Sequence, residues 1–433
     1  MGFVPSFPPG TCRAFFVGSS YSGRCFELPR RVLQISLTAD PLNPLDGGEL
    51  GGQQIVVREA SLGLQHQGFG VDVLTAAQHP MLPHHASLGQ KGQVIRTSRV
   101  STPMSDEQWL QLEEQLFHDA MTWIEGNHRR YQLVHSHFWV SGLIGKRIAR
   151  HLGIPWVHSP YKMAEWVKRP YGAYSEIRQE HERNLIANSD AVVVPYLKET
   201  DLVHRYAPKV PIYVVAPGVD VTSFFSRDPG PVLKGLGLSR RPLLYVGHLD
   251  VGRGIHEVLE YMNTQSLPDD LVLLLIGGDR GAVVQGHPQD PRLAELADSL
   301  GHHVRFLGPM PHRAVAMYFS TAQVVIAPNQ GPTLGMAVLE ALASGTPVVG
   351  TNVPGIADWI DPGVNGFVCE DNSLATLWYY ARILWDDANL AHKMGLAGQT
   401  VIHQSHGGDA MASELAQVYE EVCQGSSSSV DAS

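Results

Sequence analysis

From Arg31 onward, short apolar runs alternate with longer stretches whose apolar residues return every three or four positions. Val32–Leu37, Gly70–Thr75, Leu133–His137 and Ile154–His158 have strand length, and Ala191–Pro195 and Ile212–Ala216 continue the series. Between them, Ile55–Gln67 and Gly142–Leu152 carry helical spacing. Strands separated by helices predict βαβ units and a parallel sheet. A second series begins at Pro242, with strands at Leu243–Val246, Leu271–Ile276, Val304–Leu307, Val324–Ala327 and Pro347–Gly350. Its helices are expected at Gly254–Met262, Arg313–Ser320 and Thr333–Ala343. The class is therefore α/β, with two Rossmann-like doubly wound domains, residues 31–218 and 219–405, hinged at Ala216-Pro217-Gly218-Val219-Asp220. Met411, Leu415, Val418 and Tyr419 recur with helical period, so 406–424 reads as a closing helix. Residues 1–30 read as an N-terminal extension, and the Ser-rich 425–433 as a disordered tail. Doubly wound sheets bind ligands beyond the carboxyl ends of their strands, so two such sheets face each other across a cleft.

Composition narrows the function. With 44% hydrophobic and 17% charged residues the chain buries an ordinary core. Its net charge of −10, with no basic run, lacks the footprint of a nucleic-acid binder. No apolar run approaches the ~20 residues that span a bilayer, so no membrane partner is expected. Cys12, Cys25, Cys369 and Cys423 have no CxxC spacing, as in a reduced, cytoplasmic protein. There is no Asp-x-Asp, and His79, His84 and His85 in a Pro-rich loop and His302-His303 before a strand lack cysteine or carboxylate companions. Neither a metal nor a cofactor is therefore expected. The absence of His-Glu-x-x-His, Gly-x-Ser-x-Gly and Walker sequences removes the usual supports for hydrolases and kinases.

The most informative stretch is Pro328–Pro347. A strand ends, a Gly/Pro turn follows, and a helix is expected to open with Pro332 in its first turn. The free N–H groups of Thr333, Leu334, Gly335, Met336 and Ala337, with the helix dipole, suit a diphosphate. Glu340 further along suits the two hydroxyls of a ribose. The alternative is a packed strand–helix unit in which Glu340 is a solvated charge.

Gly335, Glu340, Ala341, Ala343, Gly345, Pro347, Val348 and Val349 resemble the donor-site motif of retaining GT-B glycosyltransferases of family 4, which includes sucrose-phosphate synthase and the mycothiol glycosyltransferase. Asp40-Pro41 with Gly51-Gly52-Gln53 is similar to the family's N-terminal loop. His135-Ser136-His137-Phe138-Trp139-Val140-Ser141-Gly142 resembles its His-x-His-Tyr-Trp-x-Ser-Gly segment, and Ala216–Asp220 its inter-domain Pro-Gly-Val-Asp. Tyr245–Gly254 resembles Gly-Arg-x-x-x-x-Lys-Gly. The likeness runs in order from about Val32 to Glu420.

The resemblance implies a metal-independent GT-B enzyme that moves a sugar from a nucleotide-diphosphate sugar to a small-molecule acceptor, with retention. It implies donor contacts from Gly51, Gly52, Gly308, Met310, Glu340 and residues 333–337, and catalytic roles for His137, His248 and Arg253. The acceptor side would comprise Gln53, Trp139, His158, Tyr161 and Lys162. Two positions depart from the family pattern. Pro332 stands where a glutamate grips the donor sugar, and His248 where an arginine meets the diphosphate. Arg253 replaces lysine and can bind phosphate bidentately, whereas free imidazole titrates near ~6.5, leaving His248 open as cation or neutral donor. His137 could instead cap its strand. Gly355 with Asp358 could serve packing or a ligand. A backbone contact near Met310 leaves UDP, GDP and ADP open.

The altered donor pocket admits a specialised sugar in antibiotic biosynthesis, including S-glycosylation of a thiol such as ergothioneine. A homodimer is compatible with the sequence. Two rival readings are a non-catalytic nucleotide-sugar binding protein and a nucleotide-sugar 2-epimerase.

Overall fold

The computed structural model describes residues 30–43, 51–79, 81–100, 104–166, 176–250, 252–278 and 281–430, with side chains to Gly425. The expected extension before Arg30, with Cys12 and Cys25, lies outside them. Eight strands form the first sheet: β1 (Arg31–Ile35), β2 (Gly70–Ala77), β3 (His85–Leu88), β4 (Gly92–Arg99), β5 (Leu133–His137), β6 (Trp156–Ser159), β7 (Ala191–Val194) and β8 (Ile212–Val214). Their order is β3-β4-β2-β1-β5-β6-β7-β8, parallel except for the edge strand β3. The second sheet uses β9 (Leu243–Val246), β10 (Leu273–Ile276), β13 (Val304–Gly308), β14 (Val324–Ala327), β15 (Val348–Thr351) and β16 (Gly366–Cys369). Its order is β13-β10-β9-β14-β15-β16, all parallel. A small hairpin, β11 (Val283–Val284) with β12 (His287–Pro288), forms a two-stranded sheet of its own that packs against β13.

Fourteen helices accompany the strands among the described residues: α1 (Gly52–His66), α2 (Asp106–Gln111), α3 (Glu113–Gly126), α4 (Trp139–Leu152), α5 (Glu176–Asn188), α6 (Thr200–Tyr206), α7 (Gly230–Leu236), α8 (Ile255–Asn263), α9 (Pro291–Leu300), α10 (His312–Thr321), α11 (Met336–Ala343), α12 (Leu374–Asp386), α13 (Ala388–Ser405) and α14 (Gly408–Val430). Central strands such as β9 (LLYV), β10 (LLLI) and β14 (VVIA) read as unbroken apolar runs because helices cover both faces. Gly153 and Gly237 end α4 and α7 in the left-handed conformation that closes a helix.

Several expectations are corrected here. His85 belongs to β3, and His84 Nδ1 lies 3.1 Å from the Arg96 carbonyl, so this stretch is a sheet edge and not simply a loop. The segment 425–430, expected as a disordered tail, continues α14. That helix crosses from the second domain and packs along α1. Gly63 is required there, because a Cβ would lie 2.6 Å from both Ala412 Cβ and the Gly408 carbonyl. At the hinge, Val219 donates to the His406 carbonyl and Gly408 to the Val219 carbonyl, tying the inter-domain strap to the start of α14.

Candidate active site

In each sheet the strand order reverses at one point, between β1 and β5 and between β9 and β14. Loops leave such a point in opposite directions and open a crevice. The two crevices meet. Thr38 and Ala39 after β1, Phe138 after β5, Gly247 and His248 after β9, and Asn329 after β14 line one cavity of about 690 Å³.

The second-domain wall is built chiefly of backbone. α11 begins at Met336, with Gly335 as its N-cap at φ 73°, so Pro332 lies in the preceding loop and not in the first turn. The delay has a steric cause. A Cβ on Gly335 would lie 1.7 Å from the Gly355 carbonyl oxygen, and one on Gly355, at φ 80°, 1.6 Å from that of Thr333. Only glycine permits both the left-handed backbone and these approaches. Thr333 donates to the Pro354 carbonyl at 3.0 Å and Trp359 Nε1 to that of Leu334 at 3.2 Å. Gly355 N–H donates to the Asp358 carboxylate at 2.8 Å, so this pair holds the loop together. The N–H groups expected free at Thr333 and Gly335 are instead taken by the Pro354 carbonyl and by Thr333 Oγ1, and that of Val338 by the Gly335 carbonyl, so among the described residues those of Leu334, Met336 and Ala337 are left for a ligand. Thr333, Leu334, Gly335, Met336 and Ala337 all line the cavity.

Arg253 and His248 line the same cavity. Among the described residues Arg253 makes no ion pair, while His248 Nδ1 stands 4.0 Å from Asp250. Met310 lines the cavity but Gly308 does not; at φ 72° Gly308 turns the chain so that Pro309 and Met310 reach it. Glu340, 4% exposed, accepts a 2.7 Å hydrogen bond from His312 Nε2. His312, which also lines the cavity, was not anticipated. Its only sequence signal is its place two residues after Met310, where a helix was expected to begin.

The first-domain wall is built of side chains over a buried polar layer. Gly51 is the N-cap of α1, and a Cβ on Gly52 would lie 3.2 Å from Met336 Cγ, so the starts of α1 and α11 meet across the cleft. Gln53 Nε2 donates to Ser36 Oγ at 3.1 Å and to the His137 carbonyl at 3.3 Å. Asp40 anchors its loop through a buried, two-contact ion pair with Arg96. Of six non-glycine residues at positive φ among the described residues, three line the cavity: Phe138 (75°), Tyr161 (44°) and Lys162 (40°). Strain concentrated at one wall is a mark of a functional surface. Arg178 holds two of them, its guanidinium 4.8 Å from the Phe138 ring centre and donating to the Lys162 carbonyl at 2.6 Å.

His137 stands behind this wall, 1% exposed, with Nδ1 3.2 Å from the Tyr161 hydroxyl, the rings stacked, and Nε2 without a hydrogen-bond partner among the described residues. Burial, reinforced by nearby His158, pushes its pKa down to about 3, so it is neutral. His135 packs on it at 4.2 Å and joins the Tyr419 hydroxyl of α14 (2.7 Å) to Ser159 Oγ (2.9 Å). Two acceptor assignments are corrected. Trp139 is 1% exposed in the core, because the positive φ of Phe138 turns Phe138 into the cleft and its neighbour inward. His158 is fully buried, bonded to Ser136 Oγ at 2.9 Å, and held near pKa 3 by burial. Among the described residues no cluster suits a metal ion and no helix is long and apolar enough to cross a membrane.

Two Rossmann-like domains joined by a hinge, with a closing helix and a cleft at both switch points, define a GT-B protein. The chain belongs to the group 1 glycosyltransferases, family 4: residues 235–401 match the family "Glycosyl transferases group 1" and residues 51–218 the "Glycosyl transferase 4-like domain". It is 30% identical over 360 residues to a D-inositol 3-phosphate glycosyltransferase of Corynebacterium urealyticum, covering 78% of this chain and 84% of the relative. The same identity holds over 404 residues with that of Thermobifida fusca, covering 88% and 90%. Sucrose-phosphate synthase from Thermosynechococcus elongatus superposes with a TM-score of 0.79 at 23% identity, covering 91% of this chain and 99% of that one. Anabaena HepE in complex with UDP and glucose gives 0.67 at 14%, covering 90% and 99%. These two likenesses concern the fold. The protein is thus a glycosyltransferase that uses a nucleotide-sugar donor.

Proposed function

We propose that the enzyme transfers a sugar from a UDP- or GDP-sugar to a small polar acceptor seated against Gln53, Tyr161 and Lys162. One observation carries this: the starts of α1 and α11 and the side chain of Arg253 line a single cavity. As the sugar–phosphate bond breaks, negative charge builds on the diphosphate. Fixed N–H groups and a guanidinium directed at that charge stabilise the transition state without reorganisation. His248 supplies a further hydrogen bond, and Glu340 accepts the ribose hydroxyls.

The acceptor proton needs a base. Among the described residues lining the cavity, the only carboxylate is Glu340, on the donor side. A His137 with a pKa of about 3 is a weak base. With His248 and His312 engaged on the second-domain side by Asp250 and Glu340, the departing phosphate oxygen is left to take the proton, which agrees with attack on the leaving-group face and retention. The same scarcity of bases favours, as a second reading, a thiol acceptor, since thiols ionise near ~8.5.

Calorimetric titration with UDP, GDP and ADP tests the donor half, and tight binding of one is expected. Binding of none would move the chain to a non-catalytic role. Turnover with hydroxyl and thiol acceptors, with the product anomer read by NMR, tests the rest. An inverted anomer removes the phosphate-as-base mechanism, and isomerised donor without acceptor marks an epimerase.

A further inference from the structure

Glu340 is a buried carboxylate at the edge of a cavity, and its geometry is only half accounted for by its own helix. α11 sets the height of its Cα, while the side-chain torsions are fixed by what the carboxylate meets. That partner is His312, at the first position of α10, whose Nε2 lies 2.7 Å from Glu340 Oε1. The histidine is held in turn by its ring packing on Phe224, 4.7 Å between centres, and is 9% exposed. Contact at this distance requires a proton on Nε2, so the ring donates and the carboxylate accepts. Among the described residues no hydrogen bond reaches the second oxygen, Oε2, and the side chain lines the cavity. One oxygen is thus occupied by the protein and the other is presented to a ligand.

We propose that His312 is a positioning residue for donor recognition: it fixes the Glu340 carboxylate so that the nucleotide's ribose hydroxyls meet an already oriented acceptor. The inference rests on the reading of Glu340 as the ribose acceptor. The donor site then has two layers. Backbone N–H groups and Arg253 hold the diphosphate, and the His312–Glu340 pair selects for ribose. Without His312 the carboxylate loses its orienting donor and must order itself when ligand binds, so affinity from the ribose hydroxyls falls while diphosphate affinity does not.

The test is a comparison of two ligands, the nucleoside diphosphate that binds best and its 2′,3′-dideoxy analogue, titrated calorimetrically into wild type, His312→Ala, His312→Gln and Glu340→Gln. Wild type should prefer the ribonucleotide. His312→Ala should cut that preference roughly tenfold, the scale of one charge-assisted hydrogen bond, and leave the dideoxy affinity unchanged. His312→Gln, which keeps an N–H donor, should restore part of the preference, and it carries the test if the alanine variant does not fold. Equal weakening of both ligands in the folded variants would mean that His312 only packs, and overturns the proposal. A preference lost in Glu340→Gln but intact in both His312 variants also overturns it while sparing the ribose assignment. A preference intact in Glu340→Gln removes the ribose assignment itself, and the proposal with it.

Discussion

The two walls of the cleft solve different problems with different materials. In the function proposed above the second-domain wall meets a diphosphate, whose charge and shape are the same on every nucleotide sugar, and it would do so with backbone: a loop at residues 333–335 threaded against another at 353–355, with glycine at each point of closest approach. The first-domain wall, assigned to the acceptor in the same proposal, is made of side chains held at strained backbone angles above a layer of buried histidines. A backbone site tolerates no added atom but needs few particular side chains. A side-chain site can be retuned residue by residue, yet its geometry depends on hydrogen bonds several residues away. The first is rigid by exclusion and the second by a network.

That contrast can be broken most violently at Gly335. Gly335→Ala puts a Cβ where the Gly355 carbonyl stands and forces an alanine into φ 73°. We expect a loss of about 3 kcal/mol or more in stability together with loss of nucleotide binding, read by urea melts and calorimetry. Wild-type affinity in this variant would show that the loop is adaptable and the backbone cradle illusory. Next in size is Arg253→Ala, which removes the one side-chain cation on that wall that makes no ion pair among the described residues. Turnover should fall on the order of 10²- to 10³-fold, with Arg253→Lys losing less because charge is kept while the planar fork is lost. An unchanged kcat would place the leaving group elsewhere.

The asymmetry also governs what could be read in advance. The second-domain wall was legible because the run Pro328–Pro347 carries a family motif in order, and residues 333–337, Glu340, Arg253 and Met310 line the cavity at which they were expected. Even there the start of α11 was misjudged, since Pro332 suits a first turn locally and only the non-local contact of Gly335 with Gly355 shows that the turn begins later. His312 escaped because a histidine opening an amphipathic helix has no distinguishing pattern. The acceptor wall was legible in identity but not in direction. His137, Trp139 and His158 fall in the right segments, yet none of the three lines the cavity: Phe138, at positive φ, faces it, and His137 lies one layer back against Tyr161. No residue type signals a positive φ at a phenylalanine. The parallel sheets followed from the alternation of apolar strands with helical segments, whereas β3, whose His85 was placed in a Pro-rich loop, β4 and the helices of residues 106–126 were not expected.

The buried layer beneath the acceptor wall should reveal itself through pH. His137 and His158 stay neutral down to about pH 3 in the folded protein and titrate near ~6.5 when unfolded. Between those values the unfolded chain binds more protons, so their contribution to stability is complete above about 6.5 and is lost as pH falls. Glu199 acts oppositely. Burial, with nearby Glu182, pushes its carboxyl up to about 8, so the folded state holds a proton that the unfolded chain releases above 4.5. Its contribution is complete below that value and lost as pH rises through 8. Thermal melts across this range should therefore fall off on both sides, and Glu199→Gln should flatten the alkaline side alone. An alkaline slope unchanged by that substitution would show that the carboxyl is not held protonated.

The smallest expected effect is the most discriminating. Tyr419→Phe keeps the ring that packs edge-on against Phe69 and His135 but deletes the hydroxyl that α14 contributes to the histidine layer. It leaves His135 Nδ1 buried without its partner, at a cost of about 1–2 kcal/mol in stability. His135 rests against His137, which in turn meets Tyr161 at the cavity, so kcat should drop a few-fold through altered support of the acceptor wall. Nucleotide affinity should not move, because the donor cradle is second-domain backbone with no contact to that hydroxyl. If calorimetry instead shows nucleotide binding weakened in step with kcat, the closing helix couples both walls and the division between them fails. If kcat holds while stability drops, Tyr419 serves the fold alone and the acceptor wall is rigid without it.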